Sequence, residues 1–150
     1  MNVKIQKLNK NAKIPVYGSE YAAGADLYAC LDFPVNIAPG RTKVIPTGIA
    51  LELPVGYAGL IYARSGLATK QGLAPANKVG VVDCDYRGEV MVALHNHSQE
   101  TRTVNSGDRI AQLVITPYIT AVFEEAKDLS STCLLYTSPS PRDTTSSPMP

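Results

Sequence analysis

The stretch Ile49-Ala50-Leu51-Glu52-Leu53, closed by Pro54-Val55-Gly56, sets three large apolar residues against Ala50 and Glu52. A period of two puts Ile49, Leu51 and Leu53 on one face of a half-buried strand. Proline and glycine then end the strand in a turn. The same period recurs outward in both directions. Val90, Val92 and Leu94 alternate with Met91 and Ala93, and Val3 and Ile5 with Lys4 and Gln6. Turn signals follow at short intervals: Tyr17-Gly18-Ser19, Ala38-Pro39-Gly40, Tyr86-Arg87-Gly88 and Asn105-Ser106-Gly107-Asp108. Short strands punctuated this often predict an all-β sandwich or barrel. One or two helical turns are expected over residues 65–71, with Gly72 as the stop.

The chain has 150 residues, 45% hydrophobic and 18% charged, with a formal net charge of +1. That length suits one domain with a core of its own. The near-neutral balance gives no broad basic face for nucleic acid. No apolar run is long enough to cross a bilayer, and the start MNVKIQKLNK lacks the apolar block of a signal peptide. A soluble, cytoplasmic protein is expected. Cys30, Cys84 and Cys133 form no CxxC pair, so three free thiols are expected.

Composition changes after Thr132. Residues 133–150 read CLLYTSPSPRDTTSSPMP, in which Pro, Ser and Thr make up 11 of 18. Such a segment cannot bury enough apolar surface to offset its ordering entropy. Cys133 to Asp143 can also be encoded by the adapter of transposase-based sequencing libraries. The domain is therefore expected over 1–132, followed by a non-native or disordered tail.

Several familiar chemistries are absent. There is no GxxxxGK[ST], no HExxH and no GxSxG. His95 and His97 would share a strand face and offer two metal ligands, but no third His or Cys is near in sequence; a strand end with solvated histidines is the plainer reading. Four segments place polar residues where a simple strand would not. In Ala23-Gly24-Ala25-Asp26-Leu27-Tyr28-Ala29, Asp26 is either a turn aspartate or an oxygen ligand for a hydrated cation. In Arg64-Ser65-Gly66-Leu67-Ala68, a guanidinium, a hydroxyl and a glycine precede the possible helical turn. They make a phosphate cradle unless Ser65 is only an N-cap. In Asn77-Lys78-Val79-Gly80-Val81-Val82-Asp83-Cys84-Asp85-Tyr86-Arg87-Gly88-Glu89, Asp83 and Asp85 would share a strand face. A carboxylate held there could orient a water, and Tyr86 offers a flat face to a base or sugar; solvated acids on a surface hairpin are the alternative. In Gly107-Asp108-Arg109-Ile110-Ala111-Gln112-Leu113-Val114-Ile115, Gln112 interrupts an apolar run and needs partners in the protein or a ligand.

In this order and spacing the four segments resemble the motifs of the trimeric deoxyuridine triphosphate nucleotidohydrolase (dUTPase) family. AGADLYA is similar to its first motif, ARSGLA to the second, NKVGVVDCDYRGEV to the third and GDRIAQLVI to the fourth. The resemblance spans residues 3–132. It implies a distorted jelly roll, a homotrimer with active sites at subunit interfaces, and Mg²⁺-dependent hydrolysis of dUTP to dUMP and pyrophosphate. That reaction keeps uracil out of DNA and supplies dUMP for thymidylate synthesis.

The resemblance also implies roles. Asp83 matches the aspartate that orients the attacking water. Ser65, with Arg64 and Gly66, matches the cradle around the scissile phosphates. Asp26 matches the aspartate that holds Mg²⁺ through water. Gln112 matches a glutamine that contacts the phosphate chain. Asn77 and the hairpin from Val81 and Val82 to Met91 match the uracil pocket, and Tyr86 the tyrosine under the deoxyribose. An ordinary aspartate is a weak base at neutral pH, so positioning must supply much of the rate. A well-oriented water accounts for up to roughly 7–11 kcal/mol.

The departure is C-terminal. The family's fifth motif is a glycine-rich lid of the form RGxGGFGSTG, and here no glycine follows Gly107. The chain as written is expected to bind uracil nucleotides and to hydrolyse dUTP poorly. A dCTP deaminase-like enzyme of the same fold and a non-catalytic nucleotide-binding β domain are the alternatives.

Overall fold

Eleven strands account for the order in the computed structural model, which describes residues 1–133. Strands β1 (Lys4–Lys7), β5 (Thr42–Glu52), β9 (Glu89–Asn96) and β7 (Leu73–Pro75) form one sheet in the order β1-β5-β9-β7. Strands β2 (Val16–Tyr17), β3 (Ala25–Tyr28), β11 (Arg109–Pro117), β6 (Tyr57–Tyr62) and β8 (Gly80–Val82) form a second, in the order β2-β3-β11-β6-β8. A ribbon pairs β10 (Arg102–Val104) with β4 (Val35–Ile37). Every pairing is antiparallel, and the sheets do not close into a barrel. This is the all-β jelly-roll arrangement expected.

The alternation read from sequence is what buries one face of each sheet. On β9, Val90, Val92 and Leu94 point into the core. They meet Ile45, Ile49 and Leu51 from β5, and Leu27, Ile61, Ala111 and Leu113 from the second sheet. On β5 the period breaks: Ala50 is buried together with its neighbours Ile49 and Leu51. The cause is a register shift between Pro46 and Ala50 against β9, where Gly48 takes φ +73°. The inward row of β9 ends on a polar residue, Asn96, which is wholly buried. Its Nδ2 donates to the carbonyls of Ile37 and Glu100, and its Oδ1 accepts from the backbone N–H and hydroxyl of Ser98. A buried amide needs all these partners, and here it stitches the β9 end to the β4 ribbon.

Among the described residues, helix is confined to Ser65 and Gly66 and the π-helical turn Leu67–Gln71 that follows, stopped by Gly72 in the left-handed region at φ +69°. Glycine tolerates that conformation without steric cost. The hairpin turn after β8 lies earlier than the Tyr86-Arg87-Gly88 signal suggested. The Tyr86 N–H donates to the Asp83 carbonyl, so the turn is Asp83–Tyr86. Asp83 and Asp85 therefore sit in a turn and not on one strand face.

Contacts divide the chain into Met1–Ile119, which holds all the strands, and a second unit from Thr120. Residues 120–133 carry no strand or helix. The proposed tail, beyond Cys133, lies outside the described residues. Cys30, Cys84 and Cys133 are all free. Among the described residues no helix is long and apolar enough to cross a membrane.

Candidate active site

The three short segments around Asp26, Arg64 and Gln112 are far apart in sequence and meet because β11 lies between β3 and β6. Gln112 is opposite Asp26 on one side and Tyr62 on the other. Arg64 follows the end of β6, and its Nε donates to Asp26 Oδ1 at 2.9 Å. Arg109, on β11, brings Nη1 to 3.8 Å from Asp26 Oδ2. Gln112 Nε2 donates to the Ala63 carbonyl at 2.8 Å, one residue before Arg64. The partner that an amide in an apolar strand requires is thus the loop carrying the arginine. Gly24 completes the arrangement. A Cβ at Gly24 would overlap Gln112 Oε1 and stand 3.0 Å from its Cδ.

After Arg64 the chain turns into the π-helical segment. Ala68 N–H donates to the Arg64 carbonyl, and the Thr69 hydroxyl to the Ser65 carbonyl. No side chain caps this segment, so Ser65 is not serving as its N-cap. Ser65 and Gly66 are exposed, and a Cβ on Gly66 would meet nothing within 4 Å. A polar cavity of about 430 Å³ adjoins them, lined by Arg64, Gln71, Asn105, Gly107, Asp108 and Arg109 among others. Two arginines and one aspartate line it, and the exposed Ser65 hydroxyl and bare Gly66 backbone lie beside Arg64 in the chain, a set of donors that suits a polyanion.

The metal test turns on Asp26. It is the single carboxylate in an ion-pair cluster with two guanidiniums. Among the described residues no group of three or more His, Cys, Asp or Glu could hold an ion. A bare divalent cation does not fit such a cluster. A hydrated Mg²⁺ already bound by phosphates does, with Asp26 accepting from its water shell.

The third segment makes a separate pocket. The β8–β9 hairpin encloses a cavity of about 250 Å³ lined by Asn77, Gly80, Val81, Val82, Asp83, Tyr86 and Met91, with Ile61 behind. Val82 is buried, whereas Val81 and Asp83 are exposed. Tyr86 folds back over the hairpin, its hydroxyl donating to the Glu89 carbonyl at 2.8 Å. Its ring lies where a Cβ on Gly88 would be, 2.7 Å from Cζ, so glycine there leaves the ring this place.

The two pockets share no lining residue. Val82 pairs with Gly59, so Asp83 sits by the Tyr57 end of β6, while Arg64 follows the Tyr62 end. Five residue steps of strand separate those ends by about 17 Å. The candidate residues therefore form two groups in one chain: Asp26, Arg64, Ser65, Gly66 and Gln112, and Asn77, Val81, Val82, Asp83, Tyr86 and Met91.

The paired histidines take another course. His95 and His97 rings pack edge to face at 4.5 Å, and His95 Nδ1 pairs with the Thr42 hydroxyl. Sequence reasoning missed Gly24, Arg109 and Glu89 as members of these groups. Arg109 was legible in the same motif as Gln112. Gly24 and Glu89 likewise stand in the motifs of Asp26 and Asp83, but what each does was set by neighbours in space.

The dUTPase family model matches residues 10–140. The chain is 47% identical over 132 residues to a deoxyuridine 5'-triphosphate nucleotidohydrolase of Syntrophotalea carbinolica, covering 88% of this chain and 90% of that one. It is 48% identical over 135 residues to the enzyme of the same name from Desulfitobacterium hafniense, covering 88% and 89%. A dUTPase of phage phi11 of S. aureus, whose structure reveals coordination of a structural Mg(II) ion, superposes with a TM-score of 0.79 at 25% identity. That match covers 87% of this chain and all of the phage protein's. A jelly-roll scaffold, a polyanion cradle, a small hairpin pocket and near-full-length relatives of one name agree: the chain belongs to the dUTPase family.

Proposed function

We propose that this chain is a Mg²⁺-dependent dUTP diphosphatase whose complete site is assembled between copies of a homotrimer. The observation that carries the assembly is the separation along β6. A triphosphate cradled at Arg64 cannot reach the water that Asp83 would orient about 17 Å away. A neighbouring copy that brings its hairpin to this cradle restores the distance.

In the assembled site, Arg64, Ser65 and Gly66 bind the phosphates, Gln112 holds the loop and contacts the chain of phosphates, and Arg109 adds a second guanidinium. Asn77 and the backbone from Val81 to Met91 read the edge of uracil. The narrow hairpin leaves no room for the methyl of thymine. Tyr86 lies against the deoxyribose, where stacking contributes on the order of 1–3 kcal/mol, and excludes a 2′-hydroxyl. Asp83 accepts a hydrogen bond from the attacking water and aims it at the α-phosphorus, in line with pyrophosphate as leaving group. Asp26 would hold a hydrated Mg²⁺ through its water shell, and the ion would supply charge neutralisation for the leaving pyrophosphate.

The three free thiols support a reducing, cytoplasmic setting.

The test is pyrophosphate and ammonia release from dUTP, UTP, dTTP and dCTP with Mg²⁺. Pyrophosphate from dUTP alone is expected. Ammonia from dCTP would make the chain a deaminase, and binding without product a non-catalytic domain. Asp83→Asn should abolish turnover and leave dUTP binding intact; near-normal turnover in that variant would remove Asp83 from its role.

A further inference from the structure

We infer that Glu89 is a positioning residue for sugar discrimination, tying the tyrosine of the hairpin to the bulge of the opposite strand. This rests on the reading of Tyr86 against the deoxyribose. Glu89 opens β9 and works through two different groups. Its backbone carbonyl accepts the Tyr86 hydroxyl at 2.8 Å. Its carboxylate Oε2 accepts the Gly48 N–H at 2.8 Å.

Gly48 is an unyielding anchor. It sits in the register shift of β5 with φ +73°, and its own carbonyl accepts the Leu8 N–H. A Cβ there would stand 2.8 Å from the Ala12 Cβ and 3.0 Å from the Cys30 sulfur. Next to it, the Thr47 hydroxyl, buried, donates to the Val90 carbonyl at 2.6 Å. The first two residues of β9 are thus both bolted to this bulge, Glu89 by its side chain and Val90 by its carbonyl.

The hairpin beyond is more exposed, held by Arg87 Nη1 on the Cys84 carbonyl and by the Tyr86 contacts. Tyr86 is 45% exposed, and Gly88 beneath its ring has no side chain to steady it. The ring is tied by one hydroxyl bond to the Glu89 carbonyl, and Glu89 is held in turn by its pairing opposite Ala50 on β5 and by its side chain on Gly48. The same tether reaches the proposed base, because the Tyr86 N–H closes the turn on the Asp83 carbonyl. Loosening Glu89 should therefore blur the surface that rejects a 2′-hydroxyl more than it slows the chemical step.

The experiment measures kcat and KM for dUTP and UTP in wild type, Glu89→Ala, Glu89→Gln, Tyr86→Phe and Tyr86→Ala. Glu89→Ala and Tyr86→Phe should each lower the preference for dUTP about tenfold, the worth of one tethering hydrogen bond. KM for dUTP should rise more than kcat falls. Glu89→Gln keeps an acceptor for Gly48 and should keep the preference. The double variant Glu89→Ala, Tyr86→Phe should be no worse than either single change, since both cut one tether. Tyr86→Ala that retains the preference would sink the reading of Tyr86 against the sugar. Tyr86→Ala that loses it while folded Glu89→Ala retains it would overturn the role of Glu89 alone. Should Glu89→Ala not fold, Tyr86→Phe decides, because it breaks the same tether from the other end; an unchanged preference there overturns the inference.

Discussion

Gly24→Ala should separate activity from stability. The backbone at Gly24 has no positive φ, so alanine is conformationally acceptable there. Its Cβ, however, would occupy the position of Gln112 Oε1 and stand 3.1 Å from the Gln112 Cβ. The amide at the end of that flexible side chain has to swing away. Doing so breaks the 2.8 Å bond from Nε2 to the Ala63 carbonyl. The site is only half-buried, so water replaces the partner and the loss is about 0.5–1.5 kcal/mol. Alanine also restricts the unfolded chain, which returns about 0.4–1 kcal/mol. The two terms nearly cancel, and Tm should move by less than about 4 °C. Turnover should not escape so lightly. Ala63 precedes the arginine of the proposed phosphate cradle, and a misplacement near 1 Å costs roughly a hundredfold. The assay pairs thermal unfolding with dUTP turnover, in wild type and in a Gln112→Ala background. With the amide already gone, Gly24→Ala has nothing to displace and should add no further loss of activity. A loss of equal size in both backgrounds, or none in either, would refute the lock between Gly24, Gln112 and Ala63.

Other outcomes follow from the same geometry. Gly66 has helical dihedrals and open space around its Cα. Gly66→Ala should thus stabilise the fold by about 0.4–1 kcal/mol in urea unfolding while weakening dUTP binding by calorimetry, because the proposed cradle has a phosphate approach the backbone there. Asn96→Ala strands two carbonyls and two donors of the β9 end, so urea unfolding should show a loss of at least about 3 kcal/mol. The Cys30 thiol is pushed above its ordinary 9.0, by burial first and then by Glu89 and Asp32. The folded state therefore holds that proton more tightly than the unfolded state does, and stability should fall as pH rises beyond about 9. Below that pH the thiol contributes no slope, and Cys30→Ala should flatten the decline above it.

Much of the fold was legible in short windows. Alternation is a local property, so Val90, Val92 and Leu94 announced their burial, and Gly72 announced the end of the helical turn. The four motifs were legible for a similar reason: each keeps its chemistry within one short, continuous stretch. Where the window misled, a distant partner was responsible. Ala50 is buried because β5 shifts register against β9, and the hairpin turns at Asp83–Tyr86 because Tyr86 is drawn back to Glu89.

The sequence by itself determined the alternating strands, most of the turns that punctuate them and the four motifs from which the proposed phosphate, uracil and water-orienting groups are drawn. Only the tertiary structure decided which of them meet. Asp26 reaches Arg64 across 38 residues and Gln112 reaches Ala63 across 49, both through the order β3-β11-β6. The same sheet sends Asp83 to the far end of β6 and divides the site in two. The physical reason is that side-chain periodicity is set by neighbours in the chain, whereas strand order and register are set by long-range pairing and burial.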